Sequence, residues 1–236
     1  ESSCLGGLCG INYNGNINDC YSTASVVGDQ SIGGLCGASY TGHITYCHST
    51  GSITGKQYLG GLCGVNNWGW IRNCYAKGSV KCIGGAYIMG GLCGQNSGSI
   101  INCYAWGSVT GGPNSMELGG LCGENIRNIS NCYSIGRILY GDGSSSLGGL
   151  CGYSGRGNVS HCYFLTTSGP DNGLGTPLTS TQMKLKSSYI DWDFVNETVN
   201  GTSSWWIIRS GAYPTLFYFD SNFVPYEFVG QGTEEN

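Results

Sequence analysis

The sequence predicts an all-β fold, namely a β-solenoid in which the chain winds into stacked coils of short strands. The string GGLCG recurs six times, starting at Gly6, Gly33, Gly60, Gly90, Gly119 and Gly148, so the repeat is about 28 residues long. The chain has 43 glycines and 14 cysteines among 236 residues, and only 10 % of its residues are charged. A unit of this length cannot bury an apolar face alone, whereas stacked copies can. We therefore expect six coils, a disulfide ladder and a small aromatic-rich C-terminal cap.

Each repeat offers four apolar positions that recur in register. The first precedes GG, the second is the Leu of GGL, the third lies three residues before a second cysteine, and the fourth lies six residues after it. The third position is occupied by Ile17, Ile44, Ile71, Ile100, Ile129 and Val159. Because these residues stand in short runs cut by Gly, Asn and Ser, we expect two or three strands per coil. Glycine is expected at the corners, where the backbone needs a positive φ.

Twelve of the cysteines form two columns, one within GGLCG and one 10 or 11 residues later. The chain has no C-x-x-C pair and only three His, whereas zinc and iron–sulfur sites require close ligand pairs. We therefore predict disulfides and no metal or other cofactor. Pairing is simplest within each coil, first cysteine with second, and pairing between coils is the alternative. The predicted pairs are Cys9 and Cys20, Cys36 and Cys47, Cys63 and Cys74, Cys93 and Cys103, Cys122 and Cys132, and Cys151 and Cys162.

Two further cysteines stand outside both columns. Cys4 precedes the first coil and Cys82 ends the third, so we expect more than one coil between them. The Cα atoms of bridged cysteines lie no more than about 7 Å apart, which argues against a bridge between these two within one molecule. A bridge between two molecules and free thiols are the alternatives.

The repeat resembles the GLUG motif of bacterial surface and secreted proteins. The third copy reads GGLCGVNNWGWIRNCYAKGSVKC and the fourth reads GGLCGQNSGSIINCYAWGSVTGG, and the resemblance covers about residues 5 to 165. This chain departs from the motif by carrying cysteine where the family has Val and a small residue. The resemblance implies an extracellular repeat protein of the kind attached to adhesins or larger surface proteins, and it brings no catalytic residues.

The periodicity divides the chain into a repeat domain, residues 1–165, and a remainder, residues 166–236. Residues 166–179 are expected to form a linker, and Thr179 with Gln182 fits a capping box before a short helix. The aromatic segments 192–194, 205–209 and 213–219 are expected to cap the last coil, because a bare end exposes strand edges. The apolar tail NFVPYEFVG, residues 222–230, is expected to add a strand to a neighbouring molecule.

An aromatic residue follows the second cysteine of every coil. It packs as a stacking ladder or, if the column faces outward, forms a stripe that could bind polysaccharide. Asparagines also recur, and we expect them to form buried ladders that satisfy backbone groups at the corners. The aromatic column comprises Tyr21, His48, Tyr75, Tyr104, Tyr133 and Tyr163. Possible glycosylation sequons begin at Asn128, Asn158, Asn196 and Asn200.

Charge and composition argue against several function classes. The net charge is -4 and no basic stripe exists, so we expect no nucleic-acid partner. No apolar run approaches the roughly 20 residues of a membrane span. Asp19, Asp29, Glu117, Glu124 and Asp142 fall at different offsets of the repeat, whereas glycoside chemistry needs paired carboxylates. We therefore expect no enzyme, although polysaccharide lyases and hydrolases share β-helical folds.

The sequence thus favours an extracellular or cell-surface structural protein. The first coil begins within five residues of Glu1 without a preceding cap, so its face is expected to take a partner. We expect copies to assemble head to tail into a homopolymer, a disulfide-stabilised filament or surface appendage. The alternative is a monomeric adhesin or carbohydrate-binding module whose partner is a cell-surface or matrix polysaccharide.

Overall fold

The structure is a computed structural model that describes residues 4–196 and 205–220. Three parallel sheets run along a solenoid of six rungs, and every rung contributes to each sheet. The all-β solenoid expected from the repeats is therefore confirmed, with three strand segments per rung. The described residues include no helix that is long and apolar enough to cross a membrane.

The strands are short and are named here by their sheets. Sheet 1 comprises Leu5–Gly6, Val26–Val27, Gln30–Gly33, Ile53–Gly60, Val80–Gly90, Val109–Thr110, Met116–Gly119, Ile138–Leu139 and Ser145–Gly148. Sheet 2 comprises Cys9–Tyr13, Asn16–Asn18, Cys36–Tyr40, His43–Thr45, Cys63–Arg72, Cys93–Ile101, Cys122–Asn125, Asn128–Ser130, Cys151–Ser154 and Asn158–Ser160. Sheet 3 comprises Tyr21–Ser22, His48–Ser49, Tyr75–Ala76, Tyr104–Ala105, Tyr133–Ser134, Tyr163–Leu165 and Thr176–Leu178. An antiparallel pair, Trp206–Ile207 with Thr215–Leu216, and the 3-10 turns Gln182–Lys184, Lys186–Ser188 and Phe217–Phe219 complete the fold.

Equivalent residues of successive repeats lie directly over one another. Cys63 pairs with Cys36 on one side and Cys93 on the other, and Ile71 lies between Ile44 and Ile100 in the same way. Residues at one repeat position therefore form columns along the solenoid axis, about 4.8 Å apart.

The four apolar columns build the core, as the repeat pattern predicts. From the second to the fifth rung, the Leu of GGL and the third-position Ile are fully buried together with both cysteine columns. The residue before GG and the fourth-position Val or Ile form a second buried cluster. The length differences between repeats fall outside this core. In the third repeat, residues 83–86 bulge from sheet 1 between Cys82, which pairs with Gly55, and Tyr87, which pairs with Gln57.

The glycines of GGLCG serve a different purpose from the one expected. None of them adopts a positive φ, and the expectation of left-handed glycine corners is wrong for these positions. A Cβ on the first glycine of each motif would lie 1.8 to 2.2 Å from the carbonyl oxygen of the cysteine three residues later. Glycine is required because backbones approach one another too closely for any side chain.

Left-handed backbone occurs instead at columns of other residues. The residue before the second cysteine has a φ of 54° at Asp19, 53° at Asn73 and 51° at Asn102. Asn and Asp tolerate this region because their short polar side chains bond locally. Another such column lies two residues before GG, and there Ile88 has a φ of 62°. A β-branched residue is strained in this region.

We expect Ile88→Asn to raise the free energy of unfolding by about 1 kcal/mol, because asparagine removes part of the cost of left-handed backbone. Urea denaturation of the variant against the wild type measures the change. Ile83→Asn is the matched control, since Ile83 is 52 % exposed and has no positive φ. If Ile88→Asn is no more stable than Ile83→Asn, backbone strain at Ile88 is not the reason.

The C-terminal residues cover the solenoid in two places. Residues 166–178, expected to be a linker, close the last rung: Ile138 N–H donates to the Ser168 carbonyl at 2.7 Å, and Asn172 Nδ2 donates to the Cys151 carbonyl at 2.9 Å. Thr179 and Gln182 make the reciprocal hydrogen bonds of the predicted capping box, since Thr179 N–H donates to Gln182 Oε1 at 2.9 Å and Gln182 N–H to Thr179 Oγ1 at 3.2 Å. The short helix expected after them is wrong, because only the 3-10 turn Gln182–Lys184 follows. The aromatic residues beyond it do not cap the end. They run back along the side of sheet 3.

Candidate functional site

The aromatic column stacks along the outer face of sheet 3. Successive ring centroids lie 5.2 Å apart for Tyr21 and His48, 4.7 Å for His48 and Tyr75, 4.9 Å for Tyr75 and Tyr104, and 5.3 Å for Tyr104 and Tyr133. The planes of neighbouring rings differ by no more than 17°. The structure thus contains the stacking ladder that was one of the two interpretations of this column.

Residues 182–196 and 205–219, called here the strap, lie over most of this ladder. The strap buries Tyr104, Tyr133 and Tyr163, leaving them 2 %, 0 % and 3 % exposed. Tyr133 Oη donates to the Pro214 carbonyl at 2.5 Å, and the Ile190 N–H donates to Tyr163 Oη at 2.8 Å. Burial raises the pKa values of the Tyr104 and Tyr133 phenols, so both stay neutral. The tyrosine column therefore offers no exposed polysaccharide-binding stripe over these rungs, because the apolar, aromatic strap covers it.

The strap was the main feature that the repeat pattern missed. Its aromatic residues were expected at the end of the solenoid, yet Trp192 and Trp206 stack on each other at 4.2 Å beside the ladder. Trp106 also joins this face and donates from Nε1 to Tyr133 Oη at 2.8 Å. One feature of the sequence could have indicated this contact: the tyrosine column and the C-terminal segment are both rich in aromatic residues.

The asparagine column lies inside the solenoid and forms the expected buried ladder. Asn66 Nδ2 donates to Asn96 Oδ1 at 2.8 Å, and Asn96 Nδ2 donates to Asn125 Oδ1 at 2.9 Å. Serine takes this position in the second and sixth rungs, where Asn12 Nδ2 donates to Ser39 Oγ and Asn125 Nδ2 to Ser154 Oγ. These bonds satisfy polar groups that would otherwise be costly to bury.

Both cysteine columns point into the core, and the structure carries their side chains as thiols. The N–H groups of Cys47 and Cys103 donate to the sulfurs of Cys74 and Cys132 in the next rung, each at 3.3 Å. Column neighbours about 4.8 Å apart satisfy the Cα separation that a disulfide needs. Pairing within a rung stays a prediction, and pairing between rungs stays open beside it. Burial raises the pKa values of the Cys74, Cys122 and Cys132 thiols.

The two remaining cysteines differ in exposure. Cys4 is half-buried beside the first rung, whereas Cys82 is 7 % exposed within the core of sheet 1. Cys82 Sγ donates to the Gly84 carbonyl at 2.8 Å and accepts the Gly112 N–H at 2.9 Å. This burial argues against the bridge between molecules through Cys82.

The strands of the first rung lie at the edge of all three sheets. Leu8 is 52 % exposed, although the equivalent leucine is fully buried in each of the other five rungs. Ile11 is 55 % exposed on the same rung. Among the residues that the structure describes, nothing covers this edge.

Two concave surfaces lie near this end of the molecule. A groove of about 300 Å³ on the outer face of sheet 2 is lined by Asn16, Asn18, His43, Thr45 and Trp70. A smaller cavity of about 80 Å³ lies where the end of the strap meets the first two rungs.

Among the acidic candidates, Glu117 and Glu124 lie close together, since burial and then the charge of Glu124 raise the pKa of Glu117. Asp29 pairs with Lys56 at 2.7 Å, and Glu124 Oε2 accepts a bond from Gln95 at 2.6 Å. Over residues 4–196 and 205–220, no group of three or more His, Cys, Asp or Glu is placed to hold a metal ion. The predicted sequons Asn128 and Asn158 are exposed on sheet 2 and Asn196 is exposed before the strap continues, whereas Asn200 and the tail 222–230 lie outside the described residues.

Comparison with protein families agrees with the repeat geometry. Four segments match the GLUG motif: residues 1–27, 28–54, 55–81 and 85–110. The fifth and sixth rungs keep the same register, since Cys122 pairs with Cys93 and Cys151. No curated protein and no solved structure matches the chain significantly. Its matched repeats and its solenoid of in-register rungs identify the chain as a GLUG-repeat protein.

Proposed function

We propose that this GLUG-repeat protein is an extracellular structural protein that associates with further copies of itself through the edge of its first rung. The exposure of Leu8 carries the proposal. Its counterparts in the other rungs are fully buried, by rungs on either side or, at Leu150 of the last rung, by one rung and the C-terminal residues, while Leu8 is 52 % exposed. An edge strand also presents unpaired backbone groups, which template pairing with another chain.

The two ends of the solenoid differ, and this difference bears on the form of the assembly. Residues 166–178 cover the last rung, so a second copy cannot stack there rung on rung. The end of the strap contacts the first rung, where Tyr218 Oη donates to an Asp19 carboxylate oxygen. The apolar edge and the strap end thus lie at one end of the molecule. This arrangement supports pairing of two first rungs more directly than it supports the head-to-tail filament expected from the sequence.

The rigid interior supports a structural role. Columns of like residues, a buried amide ladder and a covered aromatic ladder give the inner rungs similar neighbours above and below. Asp29 pairs with Lys56 and Glu124 accepts a hydrogen bond from Gln95, and the proposal assigns no catalytic step to them. Secretion is part of the proposal, because twelve cysteines in two regular columns suit an oxidising compartment.

Binding of a polysaccharide is a second candidate function, at a different place from the tyrosine column. The groove of about 300 Å³ combines the rings of His43 and Trp70, stacked 3.6 Å apart, with the amides of Asn16 and Asn18. An apolar ring beside fixed hydrogen-bonding groups is the arrangement that orients a neutral ligand. Trp70 is 42 % exposed, so part of its ring is accessible.

Light scattering coupled to size exclusion tests the association. We expect the full chain to elute as a dimer or larger species and Leu8→Glu to elute as a monomer, because a buried carboxylate at the joint is costly. Leu139→Glu makes the same change at a site that is 44 % exposed on the fifth rung, and it should elute like the wild type. A monomeric wild type overturns the proposal. Retention of that monomer on a polysaccharide column, lost in Trp70→Ala, would instead support the second candidate.

A further inference from the structure

The cavity of about 80 Å³ has walls of aromatic rings and one carboxylate. The walls are formed mainly by Asp19, Tyr21, Tyr46, His48, Tyr218 and Phe219. Asp19, Tyr21, Tyr46 and His48 come from the first two rungs, while Tyr218 and Phe219 come from the end of the strap. The cavity therefore exists only because the strap returns to this end of the solenoid.

The rings meet at steep angles instead of closing into one stack. Tyr21 and His48 are parallel, within 8° of each other. Phe219 stands at 82° to His48, and Tyr218 stands at 90° to Phe219. Tyr46 faces Tyr218 at a centroid distance of 4.5 Å and a tilt of 41°. Rings on several sides surround the cavity with the negative faces and positive edges of their π-systems.

The electrostatics of the cavity favour a cation. Asp19 supplies a carboxylate, and Tyr218 donates its hydroxyl proton to that group, which raises the pKa of Tyr218 to about 12. Burial and then Lys77 lower the pKa of His48, so its imidazole adds no positive charge at neutral pH.

The same aromatic face holds a cation on the third rung, next to the second rung that contributes His48 to the cavity. Lys77 Nζ lies 4.8 Å from the centroid of Tyr75 and 4.5 Å from that of Trp106. Within the described part of the chain, the rings of the cavity take part in no such contact with Lys or Arg. This protein thus already holds one ammonium group, that of Lys77, against aromatic rings. The rings of the cavity offer the same kind of cation–π contact and have no cation bound to them among the described residues.

Size restricts the ligand further. Sites for drug-sized ligands occupy about 300 to 1,000 Å³, so a cavity of about 80 Å³ admits only a compact group. Its single carboxylate and several ring faces suit a cation whose charge is spread over methyl groups and which needs few hydrogen bonds. We infer that this cavity binds a quaternary ammonium head group, such as that of choline. This binding does not require self-association through Leu8 and goes beyond the proposed structural function.

The repeat suggests variants that preserve the fold. Asp19 and Tyr46 occupy the left-handed column in which other rungs carry asparagine, with φ values of 54° and 51° against 53° at Asn73. Asp19→Asn removes the charge and Tyr46→Asn removes a ring, and each installs a residue that this column already accepts. His161→Asn makes the equivalent change in the sixth rung, far from the cavity, and is the matched control.

Isothermal titration of the full chain with choline tests the inference, with 3,3-dimethylbutan-1-ol as the neutral molecule of the same shape. We expect choline to bind and the alcohol to bind at least about tenfold more weakly. Asp19→Asn and Tyr46→Asn should each weaken choline binding by about tenfold, with His161→Asn unchanged. Co-sedimentation with phosphatidylcholine vesicles, against phosphatidylglycerol vesicles, tells whether the head group can be taken from a lipid surface or only as a free small cation.

Three results would overturn the inference. If choline gives no saturable heat at millimolar concentration, the cavity holds no such cation. Equal affinity for choline and the alcohol would mean that the site selects shape without charge. Unchanged binding in both Asp19→Asn and Tyr46→Asn would place the choline elsewhere on the molecule.

Discussion

Replacing Gly90 by alanine is expected to lower the free energy of unfolding by about 3 kcal/mol or more. A Cβ at this position would lie 2.0 Å from the Cys93 carbonyl oxygen, 2.7 Å from the Leu121 carbonyl oxygen and 2.8 Å from the Cys122 Cα. All three are backbone atoms, so no side-chain rotation relieves the contact. The chain can accept the methyl group only by opening the GGLCG turn of the fourth rung, where Cys93 lies, and by separating this rung from the fifth, which breaks both sheet pairing and the buried columns.

Gly155→Ala is the control for this prediction. A Cβ there meets only the ring of Tyr153, at 3.4 Å or more, and Tyr153 is 45 % exposed and free to move. Urea denaturation followed by far-ultraviolet circular dichroism compares the two variants. We expect Gly155→Ala to stay within about 0.5 kcal/mol of the wild type. A Gly90→Ala protein as stable as Gly155→Ala would mean that the rungs are spaced more widely at the GGLCG turn than the structure has them.

The solenoid itself could be predicted because its apolar residues recur at a fixed period along the sequence. Leu35 and Ile44 recur at fixed positions in each repeat, and in-register stacking places like residues over like. The backbone conformation behind each column could not be predicted in the same way. A glycine is compatible with a positive φ and also with close backbone approach, and only the three-dimensional spacing decides between them. Gly90 is required by close backbone approach, while Asn102 takes the left-handed backbone.

The strap could not be placed from the sequence because its contacts are non-local and occur once. Tyr133 binds the Pro214 carbonyl, 81 residues further along the chain, and no repeat signals that contact. The aromatic column left two interpretations open for the same reason. Whether Tyr104 faces water depends on the course of a segment outside the repeat. The cavity beside Asp19 escaped notice as well, since Tyr218 and Phe219 reach it only through the strap.

Replacing Trp206 by alanine is expected to lower the free energy of unfolding of the strap by about 4 kcal/mol. Trp206 is fully buried, stacks on Trp192 at 4.2 Å, and lies 6.0 Å from the ring of Tyr133. Its removal leaves a large cavity between the strap and the ladder. We expect the near-ultraviolet circular dichroism of the packed aromatic residues to be lost at lower urea concentration than the far-ultraviolet signal of the solenoid.

Trp206→Phe separates the loss of volume from the loss of the indole N–H. Among the described residues, Trp206 Nε1 has no hydrogen-bond acceptor, so phenylalanine removes a buried unpaired donor while keeping most of the ring, and we expect a change of only about 1 kcal/mol. Trp68→Ala is the surface control, since Trp68 is 62 % exposed and the guanidinium of Arg127 lies over its ring. That variant should change stability by about 0.5 kcal/mol. If Trp206→Ala is as mild as Trp68→Ala, the strap does not seal the ladder, and the tyrosine column becomes accessible to ligands after all.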